Sequence, residues 1–313
     1  MTRRFAFSVV IPLYNKQAHI GRALDSVFAQ SFQDFEVIVV DDGSTDSGAE
    51  RVLAYRDARL RLIRQRNGGV SAARNRGVVD AQGALVAFLD ADDAWEPCHL
   101  ETLSRLMRRY PFAGAYCSAF RIIEEDGSVT APLPAGLPAP PWEGIVPNYF
   151  RSVASGTPIV HTSAVAIPKE LFHAAGGFVV GEKYGEDTSL WGRIALRHPV
   201  AFSHSVGSSY HRDAGNRTCG SHRQEREWSF APAAREALAS GRLDGETSRY
   251  LRVYLDSSLM RMAADNILAG NGRFARSILS DVTDRRHLLR KTAWSLLSRL
   301  PLRTVKSIVR VAR

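Results

Sequence analysis

Short apolar runs rich in β-branched residues alternate with segments of helical periodicity over the first 120 residues of this 313-residue chain. The runs predict five strands: residues 7–11, 35–40, 60–63, 85–89 and 113–119. Between the runs, apolar residues recur every three or four positions, which predicts helices. This alternation is typical of βαβ units and of a largely parallel sheet covered by helices on both faces. We therefore predict an α/β fold.

The pattern changes after residue 120. Five of the 14 prolines lie in residues 132–141, and this density predicts a loop. A strand is predicted around residues 162–167 and a helix over residues 190–197. After about residue 223 the pattern is helical, so we predict a C-terminal helical extension.

The net charge of +9 is concentrated near the C-terminus. Residues 285–313 hold nine Arg or Lys and no Asp or Glu, whereas the rest of the chain holds 32 residues of each sign. A neutral body argues against a protein that wraps nucleic acid, and we predict no nucleic-acid partner.

The same basic segment is amphipathic. Its apolar residues recur at helical spacing: Leu289, Ala293, Leu296 and Leu300, then Leu302, Val305, Ile308 or Val309, and Ala312. Four basic residues form the opposite side of its second half: Arg303, Lys306, Arg310 and Arg313. Such a segment is typical of a helix on an anionic membrane surface. The alternative is a helix packed on the protein with its basic side in solvent.

The sequence predicts neither a secretory signal nor a membrane span, because its longest apolar runs have the length of strands. Cys98, Cys117 and Cys219 are far apart and form no CxxC pair, which favours a reducing compartment. We expect a cytoplasmic protein, with the inner face of the cell membrane as the alternative if the basic segment binds lipid.

Carboxylates follow two of the predicted strands, as DDGSTD at residues 41–46 and as DADD at residues 90–93. In an open parallel sheet, ligands bind beyond the carboxyl ends of the strands. Asp, Ser and Thr also cap helices, which is the alternative for residues 41–46. Two clusters at neighbouring strand ends favour a site that holds a divalent cation and a phosphate.

Two common nucleotide-binding motifs are absent from the sequence. No GxGxxG follows a predicted strand. Gly43 and Gly48 have the spacing of a P-loop, but Ala49 and Glu50 stand where Lys and Ser or Thr are required.

Four segments in order resemble the family 2 glycosyltransferases of the GT-A fold: SVVIPLYN at 8–15, VVDDGSTD at 39–46, NGGVSAARN at 67–75 and FLDADD at 88–93. Three later segments agree: GGF at 176–178, GEDTSLW at 185–191 and SYHR at 209–212. The resemblance implies a GT-A catalytic domain over residues 1–222. Residues 1–120 would form its nucleotide-sugar half and residues 121–222 its acceptor half, followed by the helical region 223–313.

The resemblance assigns six residues to the donor: Pro12, Tyr14, Asn15, Asp42, Arg74 and Asp90. It implies that Asp42 binds the uracil, Arg74 the base or the phosphates, and Asp90 the ribose. The alternative for Arg74 is a solvated helix arginine.

The resemblance also implies a metal site and a general base. Asp92 is the expected ligand of Mn²⁺ or Mg²⁺, and Asp93 and His211 are further candidates. The alternative for His211 is a hydrogen-bonded structural histidine. Asp187 is the expected general base and Glu186 its nearest rival, although two acids there also suit a helix N-terminus.

The implied activity is inverting transfer of a sugar from a UDP-sugar to a hydroxyl of a cell-surface polysaccharide or lipid-linked glycan. Val179 and Ser189 depart from acidic residues usual in the family, and both departures lie on the acceptor side. One alternative is a sugar nucleotidyltransferase, although residues 12–15 lack its Gly-rich basic loop. The other is a non-catalytic protein that binds a nucleotide sugar or a membrane surface.

Overall fold

The computed structural model describes residues 5–182, 185–215 and 226–311. The chain divides into two compact units, Met1–Gly181 with Glu186–Asn216 and Glu182–Gly185 with Arg217–Arg313. The first unit holds the described strands, and the second is helical. No helix in the described ranges is long and apolar enough to cross a bilayer.

The strands of the first unit are β1 (Phe5–Leu13), β2 (Phe35–Asp41), β3 (Leu60–Arg64), β4 (Gly83–Phe88), β5 (Ala94–Trp95), β6 (Ala115–Ile123), β7 (Val129–Thr130), β8 (Glu143–Ile145), β9 (Val165–Pro168) and β10 (Val200–His211). Its helices are α1 (Ile20–Phe28), α2 (Gly48–Leu53), α3 (Val70–Asp80), α4 (His99–Arg109), α5 (Tyr149–Ala154), α6 (Lys169–Ala174) and α7 (Glu186–Ala195). The helices of the second unit are α8 (Ala231–Ala239), α9 (Gly245–Leu268), α10 (Gly272–Ser280), α11 (Leu288–Leu297) and α12 (Leu302–Val311).

One mixed sheet runs through the first unit in the order β3-β2-β1-β4-β9-β6-β10-β5. The strands β3, β2, β1 and β4 are parallel, with Phe7 of β1 opposite Phe35 on one side and Leu85 on the other. This half matches the sequence prediction, and every residue of β2 is buried. The strand β9 is antiparallel to both β4 and β6, and β10 is parallel to β6.

Helices cover the sheet with the apolar sides that the sequence predicts. In α1, Ile20, Ala23, Leu24 and Val27 are buried. The helix α3 approaches β1 closely at Gly77, where a Cβ atom would lie 2.4 Å from Val10 Cγ1. Only glycine fits there, because that distance is shorter than any normal carbon–carbon contact.

Three elements differ from the sequence prediction. The strand expected over residues 162–167 is a short 3₁₀ turn, Thr162–Ala164, followed by β9. The helix expected over residues 190–197 begins earlier, at Glu186. The twelve-residue strand β10 was not predicted, because Ser and His residues interrupt its apolar pattern after Phe202.

In the second unit, α9 is the central helix, and α8, α10, α11 and α12 all pack against it. Leu251, Leu255, Leu259 and Ile267 of α9 are buried. The side chain of Asp244 caps its first turn by accepting a hydrogen bond from the Thr247 backbone N–H at 2.8 Å.

Candidate functional site

The loops that follow β1 and β2 meet at one edge of the sheet, because these strands are parallel. Asn15 Oδ1 accepts a hydrogen bond from the Thr45 backbone N–H at 2.8 Å, and Asp46 Oδ2 accepts one from Gln17 N–H at 2.8 Å. Asn15 has a φ of 51°, in the left-handed region that asparagine tolerates better than most residues.

The other two residues predicted from the PLYN segment lie at the same edge. Pro12 is half-buried inside β1, and Tyr14 follows the strand with 45% of its surface exposed. Tyr14 is thus an accessible aromatic ring at the carboxyl end of the central strand. An exposed ring there can stack on a nucleobase.

Asp42 holds the loop that leads into α3. Its Oδ1 accepts hydrogen bonds from Gln65 Nε2 and Gly68 N–H, both at 2.8 Å, and its Oδ2 accepts one from Gly69 N–H at 2.8 Å. Asp42 is 2% exposed. The structure therefore places Asp42 at the predicted edge, with both carboxylate oxygens engaged by the protein.

Arg74 joins the two halves of the predicted site. This α3 side chain donates to Asp90 Oδ1 at 2.7 Å and to Glu186 Oε1 at 3.1 Å, and its guanidinium lies 5.1 Å from the centre of the Phe178 ring. Burial opposes the charged form of Arg74, but the charges of Asp90 and Glu186 raise its pKa above its usual value. Arg74 is a buried bridge, so the structure does not place it as a solvated helix arginine.

Asp92 forms an ion pair that the sequence did not predict. Lys16 Nζ lies 2.6 Å from Asp92 Oδ2, and the two side chains are only 12% and 13% exposed. Arg22 donates to the Asp92 backbone carbonyl at 2.5 Å and to Asp213 at 3.0 Å. Lys16 directly follows the PLYN segment, but nothing in its spacing indicates that it reaches the DADD segment.

Asp93 is fully buried and engaged through both oxygens. Its Oδ2 accepts a hydrogen bond from Ser163 Oγ at 2.6 Å, and its Oδ1 accepts one from the His211 backbone N–H at 3.1 Å. Burial and the charge of Asp90 raise the pKa of Asp93 well above its usual value. Asp93 thus connects the DADD segment to the end of β10.

The short turn at Thr162–Ala164 contacts the DADD segment at residues 90–93 and Asp187 at the start of α7. Ser163 Oγ also accepts a hydrogen bond from the Asp90 backbone N–H at 3.1 Å. Thr162 Oγ1 donates to Asp187 Oδ2 at 3.2 Å. The turn therefore fixes the positions of Asp90 and Asp187 together, and the sequence carries no motif that would have identified it.

His161 precedes this turn and is a second group that sequence analysis did not identify. Its ring stacks on Phe120 with centroids 4.5 Å apart. Burial lowers the pKa of His161 below its usual value, against the opposing effect of the charges on Asp90 and Asp187. A neutral imidazole thus lies within electrostatic range of the carboxylates from both segments.

Glu186 and Asp187 open α7, where negative charge suits the helix N-terminus. Burial, followed by the charge of Asp187, raises the pKa of Glu186 to about 7 against the opposing effect of Arg74. Asp187 Oδ1 accepts a hydrogen bond from the Thr188 backbone N–H at 2.6 Å. The two neighbouring acids therefore have different environments.

His211 ends β10 beside the DADD segment. Burial and the charge of Arg22 lower its pKa, and the charges of Asp213 and Asp92 oppose them. Its imidazole is therefore neutral at physiological pH, the form that can ligate a metal. In the described part of the chain, no three His, Cys, Asp or Glu residues come together as a ready metal site.

Comparison with known proteins identifies the family of this chain. The model of "Glycosyl transferase family 2" matches residues 8–174. An uncharacterized glycosyltransferase of Rickettsia felis is 26% identical over 253 residues, which are 78% of this chain and 40% of the relative. Glycosyltransferase GlyA of Streptococcus pneumoniae is 35% identical over 122 residues, 38% of this chain and 18% of the relative. The chain thus spans less than half the length of these relatives.

A solved structure shows the same fold. The S. aureus TarS fragment 1–349, crystallised with UDP-GlcNAc, superposes with a TM-score of 0.65 at 18% identity, covering 98% of this chain and 92% of the fragment. The α/β architecture with its C-terminal helices is therefore of GT-A type. The matched residues include Arg74 and Asp90, which form the ion pair described above. Because the family model matches more than half of the chain, the chain belongs to glycosyl transferase family 2.

Proposed function

We propose that this protein is an inverting glycosyltransferase that moves a sugar from a UDP-sugar to an acceptor hydroxyl. One observation carries the proposal: the buried Arg74 holds both Asp90, at the donor edge, and Glu186, the neighbour of Asp187. A transferase needs its donor and its base side by side, because proximity removes much of the entropic barrier to a reaction between two molecules.

The donor edge suits a uridine nucleotide. Tyr14 offers an exposed ring for the base, and Asp42 fixes the backbone of Gly68 and Gly69 beside it. Asp90 keeps 31% of its side chain exposed and can accept hydrogen bonds from ribose hydroxyls. The UDP-GlcNAc and UDP present in the TarS crystals support this class of donor.

The residues at this edge fit a divalent cation completed by substrate oxygens. Asp92 supplies one carboxylate, whose Oδ2 pairs with Lys16, and His211 a neutral imidazole, whereas both oxygens of Asp93 are engaged by hydrogen bonds. Mg²⁺ and Mn²⁺ commonly bind through one or two carboxylates together with phosphate oxygens. Asp92 and His211 would hold the ion, which would offset negative charge on the leaving UDP.

Asp187 is the group best placed to act as general base. Thr162 and the Thr188 backbone N–H fix the orientation of its carboxylate through one hydrogen bond to each oxygen. Asp187 would take the proton of the acceptor hydroxyl as that oxygen attacks the anomeric carbon. A single displacement assisted by one base inverts the anomeric configuration.

The proposed acceptor class rests on the resemblance to the family, and no contact among the described residues supports it directly. We propose a cell-surface polysaccharide or a lipid-linked glycan, assembled on the cytoplasmic side of the membrane. A lipid-linked acceptor would require this enzyme to work at a membrane surface.

The decisive experiment combines donor binding with turnover. Thermal unfolding is followed with UDP and a panel of UDP-sugars, with and without Mn²⁺, because a ligand that binds the folded state raises its melting temperature. UDP release from each UDP-sugar then measures turnover, with water as the default acceptor. We expect a Mn²⁺-dependent shift with UDP and turnover of one preferred UDP-sugar.

Variants separate an enzyme from a binding protein. Asp187→Asn should keep the UDP shift and lower UDP release by about a hundredfold or more. Asp80→Asn, at a surface ion pair with Arg76, is the matched control and should change neither. Full UDP release by Asp187→Asn would refute Asp187 as the base, and the absence of any uridine nucleotide shift would refute the donor assignment.

A further inference from the structure

The C-terminal unit leaves a row of apolar side chains in solvent. Leu289, Ala293 and Leu296 recur on one side of α11, and Leu300 follows just after that helix. Leu289 is 86% exposed, Leu296 is 60% exposed and Leu300 is 43% exposed, and Ala293 is exposed as well. We call these four residues the α11 stripe. The helix α11 buries none of its residues.

The opposite side of α11 attaches the helix to the protein. Lys291 Nζ donates to the Val282 carbonyl at 2.7 Å, and Arg276 donates to the Ser298 carbonyl at 3.0 Å just beyond the helix. At 3.6 residues per turn, Lys291 lies on the far side of the helix from Leu289. A surface helix normally buries its apolar side. The side of α11 that faces the protein carries the half-buried Trp294 and Leu297 beside these polar contacts. The stripe faces solvent, so the packing of this unit does not account for the stripe.

The next helix shows the usual arrangement. Val305 of α12 is 1% exposed, and α12 packs against α9. The sequence left two alternatives for the whole basic segment, a packed helix and a membrane-surface helix. In the described structure, α12 is a packed helix because it buries Val305, whereas α11 buries no residue and so remains a candidate for the membrane surface.

Charge indicates what covers the α11 stripe. Arg290 and Arg299 lie on its two sides and are both exposed, and residues 285–313 contain no Asp or Glu. A second copy of the chain on this stripe would bring arginines against arginines. An anionic lipid surface would instead pair each arginine with a phosphate and receive the leucines at the boundary with the acyl chains.

We propose that the α11 stripe inserts into the interface of an anionic lipid bilayer, with Arg290 and Arg299 on lipid phosphates. This inference does not rest on the proposed transfer reaction, because the stripe belongs to the C-terminal unit and includes no site residue. It supplies a membrane attachment that needs no membrane-spanning helix.

Vesicle sedimentation with the full chain tests the proposal. We expect binding to vesicles of equimolar phosphatidylcholine and phosphatidylglycerol, little binding to pure phosphatidylcholine, and release by salt. Leu289→Ser and Leu296→Ser should each weaken binding about tenfold, the effect of removing one buried leucine. Arg290→Gln with Arg299→Gln should weaken it further and remove most of its salt dependence.

Matched controls distinguish insertion of the α11 stripe from nonspecific adsorption of the protein to vesicles. Leu53→Ser removes a leucine of similar exposure, 55%, from α2, and Arg108→Gln removes an exposed arginine from α4. Both should bind vesicles as the unaltered protein does. Equal binding by Leu289→Ser and the unaltered protein would overturn the proposal, and so would no binding to the anionic vesicles.

Analytical ultracentrifugation tests the competing occupant. A dimer of the unaltered protein that Leu289→Ser converts to a monomer would show that the stripe joins two copies and would overturn the membrane assignment. UDP-induced thermal shifts of the same variants should stay unchanged. Their loss would indicate a folding defect in the variant, and Arg290→Gln with Arg299→Gln would then decide the question.

Discussion

Arg74 Nη1 lies 3.1 Å from Glu186 Oε1, although the two residues are 112 positions apart in the chain. The same guanidinium holds Asp90 at 2.7 Å. This contact fixes the distance between the donor edge and the acceptor segment, because the guanidinium is planar and cannot turn toward one partner without leaving the other.

Arg74→Met should destabilise the protein strongly. Removing one partner of a buried ion pair leaves uncompensated charge and typically costs about 3–5 kcal/mol. Urea unfolding measures the loss. Arg74→Lys keeps the charge without the two-sided geometry, so it should recover stability in part while UDP release stays low. Full activity in Arg74→Lys would show that charge alone is needed.

Stability should depend on pH through Glu186. Its pKa is raised to about 7, whereas glutamate in an unfolded chain titrates near 4.3, so the folded state holds this proton more tightly between those values. The protonated Glu186 therefore contributes fully to the free energy of unfolding below the unfolded-state pKa, and this contribution is lost as the pH rises through about 7. We expect the melting temperature of Glu186→Gln, minus that of the unaltered protein, to increase from pH 5 to pH 8.

A surface glutamate serves as the control for this effect. Glu50 is exposed, and Glu50→Gln should give a melting-temperature difference that stays flat across the same pH range. A flat difference for Glu186→Gln would mean that burial does not raise the pKa of this carboxyl.

Lys16 should compete with a divalent cation for Asp92, because its ammonium lies 2.6 Å from Asp92 Oδ2. Lys16→Met removes the competing charge while keeping much of the apolar stem. We expect the Mn²⁺ concentration that half-saturates the thermal shift to fall about fivefold, the effect of an ion pair worth about 1 kcal/mol. An unchanged midpoint would place the cation elsewhere. Asp92→Asn should abolish the Mn²⁺ response in both backgrounds.

Thr162 should act as a positioning residue for Asp187 through their 3.2 Å hydrogen bond. Thr162→Val keeps the side-chain shape and removes the donor, so UDP release should fall by about tenfold to a hundredfold while the KM for the UDP-sugar stays the same. Thr162→Ser should restore the rate. An unchanged rate in Thr162→Val would show that the hydrogen bond from the hydroxyl does not position Asp187.

The parallel half of the sheet and the donor edge could be predicted from sequence because both are local. The strands β1, β2 and β4 are largely apolar, and the acidic clusters follow two of them directly. The strand β10 could not be predicted in this way. Ser209 in this strand accepts a hydrogen bond from Arg121 at 2.8 Å, and only the fold brings these two residues together.

The sequence by itself determined the order of elements, the carboxylates at the sheet edge and the resemblance to a glycosyltransferase family. Only the tertiary structure decided which charges meet. Lys16 pairs with Asp92, Thr162 holds Asp187, and the α11 stripe faces solvent rather than the protein. Periodicity specifies which side of an element is apolar, but pairing between distant side chains depends on how the elements are placed in space.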